Sequence, residues 1–205
     1  MKLYDYPQCP FGQKVRIVLA EKELSYETIY IDLRKGEQKR PEFLRLNPFG
    51  KVPVLVDDEV VVYDSTVINE YLEDEYPHPP LLPEDSALRA RARSFEDYAD
   101  IAFTLPVGVL MGEVRKPEAE RDAERVRRAR EEVERTLAHL NGNLGEHPFL
   151  AGEFSMADAA FAPRLMVLAA VGIEIRPQWE PLRRWIDRLA ERPSIRNLEG
   201  LEGWR

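Results

Sequence analysis

Hydrophobic and polar residues change their spacing several times along the chain, and each change marks an element. Residues 2–6 alternate as a half-buried strand does, until Pro7 and Pro10 break the pattern. Phe11, Val15, Val18 and Leu19 then fall on one face of a helix that should end near Glu23. Residues 26–33 read as a second strand. Residues 41–46 read as a short helix, stopped by the turn-forming Asn47-Pro48-Phe49-Gly50. Residues 52–56 and 60–63, separated by Asp57-Asp58-Glu59, have the pattern of an antiparallel hairpin. Ser65 opens a further helix with Ile68, Tyr71 and Leu72 on its inner side, so the order is βαβαββα.

Residues 76–83, with four prolines at 77, 79, 80 and 83, cannot be helical and predict a stiff, extended linker. Beyond Asp85 every long segment has helical spacing. The two longest are 85–112 and 117–140, the second carrying Val126, Ala129, Val133, Leu137 and Leu140 on one face. Shorter helices are expected over 155–171 and 178–191, the first opened by a capping box in which the Asp158 carboxylate reaches back to Ser155. The expected fold class is α/β plus all-α. Its domains are 1–76, a proline-rich linker over 77–85, and an all-helical domain over 86–205.

The formal charge of -8, from 29 basic and 37 acidic residues, argues against nucleic acid as a partner. The one arginine cluster, Arg125, Arg127, Arg128 and Arg130, is interleaved with Glu124, Glu131, Glu132 and Glu134 and reads as a solvated helix face. No apolar run has signal-peptide length or approaches the roughly 20 residues of a membrane span, so no membrane role is expected and a cytoplasmic location is. His78, His139 and His147 lie in separate segments with no ligand spacing, so no metal is expected. A single cysteine, Cys9, excludes an intramolecular disulfide and leaves either a bland core thiol or a reactive one. Pro10 suits the first helical position, which sets Cys9 beside the open amides of a first turn, where a thiolate is stabilised. Position 12 is Gly, so Cys9 has no partner for a dithiol centre.

Cys9-Pro10-Phe11-Gly12, the run Asn47-Pro48-Phe49-Gly50-Lys51-Val52-Pro53-Val54-Leu55, Tyr63-Asp64-Ser65 with Asn69-Glu70-Tyr71-Leu72, and the segment from Leu150 to Asp158 together resemble the cytosolic glutathione transferases. Around Cys9 the closest class is the omega-like, cysteine-containing one. The resemblance implies a thioredoxin-like N-terminal domain followed by a helical bundle, glutathione as co-substrate, and a homodimer. Cys9 would be the catalytic residue. Phe11, Arg40, Val52, Asp64 and Ser65 would bind glutathione, with Lys51 as the substitute for Arg40 at the glycyl carboxylate. Val52-Pro53 sits where the family has a cis peptide that turns the Val52 backbone outward to pair with the ligand like an added strand. Asp64 would meet the ligand's α-ammonium group, and the helix start at Ser65 its γ-glutamyl carboxylate. Where the family more often has Glu, this chain has the shorter Asp64.

The implied chemistry is thiol transfer or reduction through a Cys9 mixed disulfide that a second glutathione resolves. Lowering a thiol's pKa from about 8.5 to about 6 raises its thiolate fraction at pH 7 from about 3% to about 90%. Each thiolate becomes roughly tenfold less nucleophilic, so the larger gain is as a leaving group in the resolving step. Phe95, Tyr98, Phe103 and Leu105 offer apolar surface for a second substrate, although aromatics at helical spacing are more often core. Two other functions compete. A conjugating transferase would use Tyr4 or Tyr6 on the first strand. The stringent starvation protein A group, which the stretches 15–22 and 76–83 also resemble, binds RNA polymerase instead of catalysing.

Overall fold

Strand β1 (Lys2–Asp5) lies at the centre of a four-stranded sheet of order β2-β1-β3-β4. It runs parallel to β2 (Glu27–Tyr30) and antiparallel to β3 (Val54–Asp57), and β4 (Val60–Tyr63) pairs antiparallel with β3 at the far edge. The parallel β1/β2 pair needs a crossover, which helix α1 (Pro10–Glu21) provides. Helix α2 (Pro41–Leu46) follows β2 and α3 (Ser65–Glu75) follows β4, giving the predicted βαβαββα order. The structure, a computed structural model, describes residues 1–202. Residues 203–205 of the expected helical domain lie outside the described residues.

Strand alternation divides the core of this half. Leu3 and Leu55 are register partners and fully buried, as are Val15, Ile17, Val18 and Leu19 of α1 and Ile68 and Leu72 of α3, the helix against which α1 packs. A second cluster consists of Ile31, Phe43, Val52 and Val54, with Tyr4, Tyr6 and Cys9 packed against it.

The chain forms two compact units, Met1–Leu81 with Asn197–Gly200, and Leu82–Arg196 with Leu201 and Glu202. Residues 76–80 therefore pack with the first unit. They are non-helical, as their prolines require, and are pinned from below. The buried Lys22 ammonium pairs with Glu73 (2.7 Å) and donates to the carbonyls of Tyr76 (2.7 Å) and Pro79 (3.0 Å). Glu73 in turn accepts from the Leu81 amide at 3.0 Å. The His78–Pro79 bond is cis, and bends run through the stretch where an extended linker was expected.

In the second unit the predicted 85–112 helix is two: α4 (Ser86–Tyr98) and α5 (Leu105–Val114), joined by a wider π-helical turn at Ala99–Thr104. Pro106 has no amide for the regular ladder, and the π turn just before it absorbs the mismatch. The predicted 117–140 helix is α6 (Ala123–Leu144), capped by Asp122. Helix α7 (Met156–Leu165) ends earlier than expected, and α8 (Glu180–Glu191) and α9 (Pro193–Arg196) follow. Phe103, Phe161 and Trp185 stack in sequence, with ring centroids 5.4 and 5.9 Å apart, and all three are fully buried. Phe103 is therefore core, the alternative that helical spacing favoured.

The predicted capping box is present and does more than start a helix. Asp158 is wholly buried and accepts from the Ser155 amide (2.9 Å), the Ser155 hydroxyl (3.0 Å), the Leu150 amide (3.2 Å) and the Trp185 indole (2.7 Å). One carboxylate thus ties α7 to α8 and to the loop before it. Asp158→Ala should leave these donors unpaired and cost about 3 kcal/mol or more, read as a lower urea midpoint with an unchanged m-value.

Candidate functional site

Strand β1 ends at Asp5, and the chain then turns sharply into α1. The Cys9 amide donates to the Tyr6 carbonyl at 2.8 Å, and the Gln13 amide donates to the Cys9 carbonyl at 2.9 Å. Cys9 is therefore the N-cap of α1 and Pro10 its first residue, as the sequence predicts. Its φ and ψ of -75° and 119° are extended, and its thiol makes no capping hydrogen bond. The half-buried side chain sits at the dipole's positive end, beside Tyr4, Tyr6 and the Val52 cluster. Phe11, in the first turn, is also half-buried.

Gly12 is fixed by a neighbour. A Cβ there would collide with the carboxylate of Asp5, which lies under the first turn of α1. Asp5 is 1% exposed and pairs through Oδ2 with Arg16 Nε at 3.1 Å. Burial pushes its pKa up to about 6, against the opposing pull of the Arg16 charge and the Tyr6 amide. Spacing alone did not reveal this pair. The available signal was an acidic residue on the same strand face as the core residue Leu3.

Val52 is buried and the Val52–Pro53 bond is cis, as the resemblance implied. The preceding loop is shaped by Asn47, whose side-chain amide donates to the Lys51 carbonyl (2.7 Å) and whose oxygen accepts from the Phe49 amide (2.9 Å). Lys51 itself is exposed. At α3 the cap is Asp64, one residue before the predicted helix start at Ser65. Asp64 Oδ1 accepts from the amides of Thr66 (3.0 Å) and Val67 (3.4 Å), and Ser65 is the buried first helical residue. Asp64 has φ of 74° and ψ of 125°, a positive-φ conformation outside the regions that L-residues ordinarily occupy.

Arg40 precedes α2 as its N-cap residue and pairs with Glu37 at 3.2 Å, its side chain 60% exposed. It lines a concavity of about 440 Å³ with Tyr4, Ile31, Glu37, Glu42, Phe43 and Leu46. Tyr4 meets Phe43 edge-on at 6.4 Å, and Tyr6 lies 5.8 Å from Tyr30. Cys9 and Val52 thus share one packed cluster, while Arg40 and Asp64 stand at the starts of two different helices. Among the described residues no group of three His, Cys, Asp or Glu side chains is placed to hold a metal ion, and no helix is long and apolar enough to cross a membrane. Two arginines of α6 pair within the helix: Glu124 accepts from Arg127 (2.7 Å) and Arg128 (2.8 Å), and both hold its carboxyl down to about 2, whereas Arg125 pairs with Glu113 and Arg130 donates to the Gly172 carbonyl.

A thioredoxin-like unit with a cis-proline loop and a cysteine at the first helix, followed by an all-helical unit, is the architecture of a glutathione transferase. Comparison with known proteins gives the family. Residues 8–75 match the model of the glutathione S-transferase N-terminal domain and residues 123–188 that of its C-terminal domain. The chain is 33% identical to glutathione S-transferase 2 of Saccharomyces cerevisiae, over 97% of this chain and 89% of that one. Glutathione S-transferase Z2 of Arabidopsis thaliana is 49% identical over 44% of this chain and 40% of its own. A stringent starvation protein A homolog of Coxiella burnetii is 31% identical over 87% and 80% of the two chains. The solved structure of Ure2p in complex with glutathione superposes with a TM-score of 0.85 at 26% identity, covering 98% of this chain and 92% of that one. The chain belongs to the glutathione S-transferase family.

Asp5 supplies a pH test. Its carboxyl in the unfolded chain titrates near 3.8 and in the folded protein near 6, so the folded state binds the extra proton between these values. The stability of the wild type relative to Asp5→Asn should therefore fall as pH rises from about 4 to about 6, by up to about 3 kcal/mol, and stay level above that. Urea midpoints of both proteins across this range give the difference.

Proposed function

We propose that the protein is a glutathione-dependent thioltransferase of the cysteine type, with Cys9 as its nucleophile. Three segments make up the enzyme: a glutathione-binding domain over 1–76, the linker 77–85 and the helical domain 86–205. The Cys9 thiolate attacks the glutathione sulfur of a mixed disulfide, the Cys9–glutathione disulfide forms, and the other thiolate leaves. A second glutathione thiolate then attacks that glutathione sulfur, oxidised glutathione departs, and the Cys9 thiolate is restored. Val52 offers its backbone to the glutathione cysteinyl unit, Arg40 faces the glycyl carboxylate, and Asp64 with Ser65 holds the γ-glutamyl end, with Phe11 beside them. The protein acts in the cytoplasm as a homodimer and uses no metal.

The observation that carries this reading is the seat of Cys9: extended, half-buried, at the N-cap of a 12-residue helix, with the position three residues on restricted to Gly. Intact-mass measurement after exposure to oxidised glutathione should show one glutathione adduct on the wild type and none on Cys9→Ser. A wild type without adduct would defeat the proposal.

Asp64 separates ligand contact from capping. Asn caps as well as Asp and tolerates the same positive φ. Asp64→Asn should thus melt close to the wild type while binding glutathione about tenfold more weakly, because only the charge facing the ammonium group is lost. Calorimetric titration with glutathione, alongside a thermal melt, checks both halves.

One observation favours a second function, that of a polymerase-binding protein resembling stringent starvation protein A. Pro77, His78, Pro79 and Pro80 are all exposed yet pinned by Lys22, as a preformed epitope would be. Recovery of RNA polymerase on the immobilised protein, with no glutathione binding, would favour it over the transferase.

A further inference from the structure

The working loop before Cys9 is held by residues far away in the chain. Gln13 is fully buried, and its side-chain amide donates to two carbonyls, those of Pro7 (3.1 Å) and Glu199 (3.1 Å). Arg16, one turn further along α1, does the same: its Nη2 donates to Pro7 (2.6 Å) and to Glu199 (3.3 Å). Its Nε is held by Asp5, and its Nη1 lies 3.7 Å from the Glu199 carboxylate. Two side chains thus bridge the same two carbonyls, one just before Cys9 and the other in Asn197–Gly200.

The bridge is close enough for backbone to touch backbone. Gly200 has φ of 86°, and a Cβ on it would collide with the Pro7 carbonyl and approach the Gln8 nitrogen to 2.9 Å. Only Gly permits that approach and that conformation together. Leu198 and Leu201, on either side of Glu199 and Gly200, are buried and anchor the segment.

We propose that Asn197–Gly200 is a positioning clamp for residues 7–9, acting through Gln13 and Arg16, and that it fixes the Cys9 sulfur against the positive end of α1. The inference rests on the reading of Cys9 as the working thiol. The Pro7 carbonyl accepts from two donors whose own orientation depends on Glu199, so removing the far carbonyl loosens the near one. A loosened loop lets the sulfur move away from the first-turn amides, and its thiolate is then less stabilised. Gln13, Arg16 and Gly200 are positioning residues, acting on the loop through the Pro7 carbonyl.

Alkylation of Cys9 by iodoacetamide, followed against pH, tests the clamp without needing a glutathione site. Gly200→Ala and Gln13→Ala should each slow alkylation at pH 7 about threefold or more and move the profile to higher pH by about half a unit. Arg16→Lys, which keeps the charge opposite Asp5 and loses the divided contact, should do the same. Leu137→Ala, a core truncation in the helical unit, should lower the melting temperature and leave the Cys9 profile on that of the wild type. If Gln13→Ala and Arg16→Lys, which add no collision, give profiles that superimpose on the wild type, the clamp is wrong. A wild type that takes no glutathione adduct counts against the transferase reading alone, because the alkylation profile still reports how the loop is held.

Discussion

The pairing of Asp5 with Arg16 is the constraint on which the first unit is built. A carboxylate at the end of a central strand would be costly to bury alone, and the guanidinium that meets it comes from the second turn of the helix that follows. Such a pair adds little net stability over an apolar one, because both ions lose their water. Its value here is geometric. It sets the height of α1 above the sheet and the direction in which its first turn opens. The thiol, the Pro7 carbonyl and the glycine at position 12 all take their places from it. The cis-proline loop then brings the Val52 backbone into the cluster against which Cys9 packs.

The helical unit is organised by a different device, a single acceptor with several donors. Asp158 satisfies amide, hydroxyl and indole groups from three segments, and the aromatic run Phe103, Phe161 and Trp185 links the π turn to α7 and α7 to α8. Burial raises its pKa to about 6, and the hydrogen bonds oppose that rise. At neutral pH the group is anionic, which suits four donors and no acceptor. On the charged surface of α6, by contrast, Arg127 and Arg128 are neutralised by Glu124 and Glu131 one helical turn away, and Glu134 pairs with Arg176 outside the helix.

Much of this was legible from short-range pattern. Strand alternation, the 3.6-residue apolar stripes, proline at the start of α1 and the Ser155–Asp158 box are all local signals, and the elements of the first unit lie within a few residues of their expected places, while α6 starts and α7 ends six residues from theirs. What failed to show was of two kinds. Where two neighbours are both good caps, as Asp64 and Ser65 are, composition cannot choose, and a backbone φ of 74° decides for Asp64. Where partners are distant in sequence, as Lys22 is from Pro79 and Gln13 from Glu199, no spacing rule connects them. The π turn belongs between these cases: Pro106 was visible, but a helix that widens before a proline and one that stops there look alike in sequence. The residues expected to meet glutathione come from the resemblance, and it names no second substrate, because an apolar helix face reads the same whether it lines a site or a core.

The collision that keeps position 12 a glycine also constrains the history open to this chain. A second thiol three residues after Cys9 would create a dithiol arrangement, which reduces a disulfide by closing its own and then needs an outside reductant to reopen it. Asp5 forbids that step while it is in place, and removing it first takes from Arg16 its buried counter-ion, leaving the Pro7 carbonyl and Glu199 as partners. The single thiol at this helix start is therefore kept single by a carboxylate on the neighbouring strand.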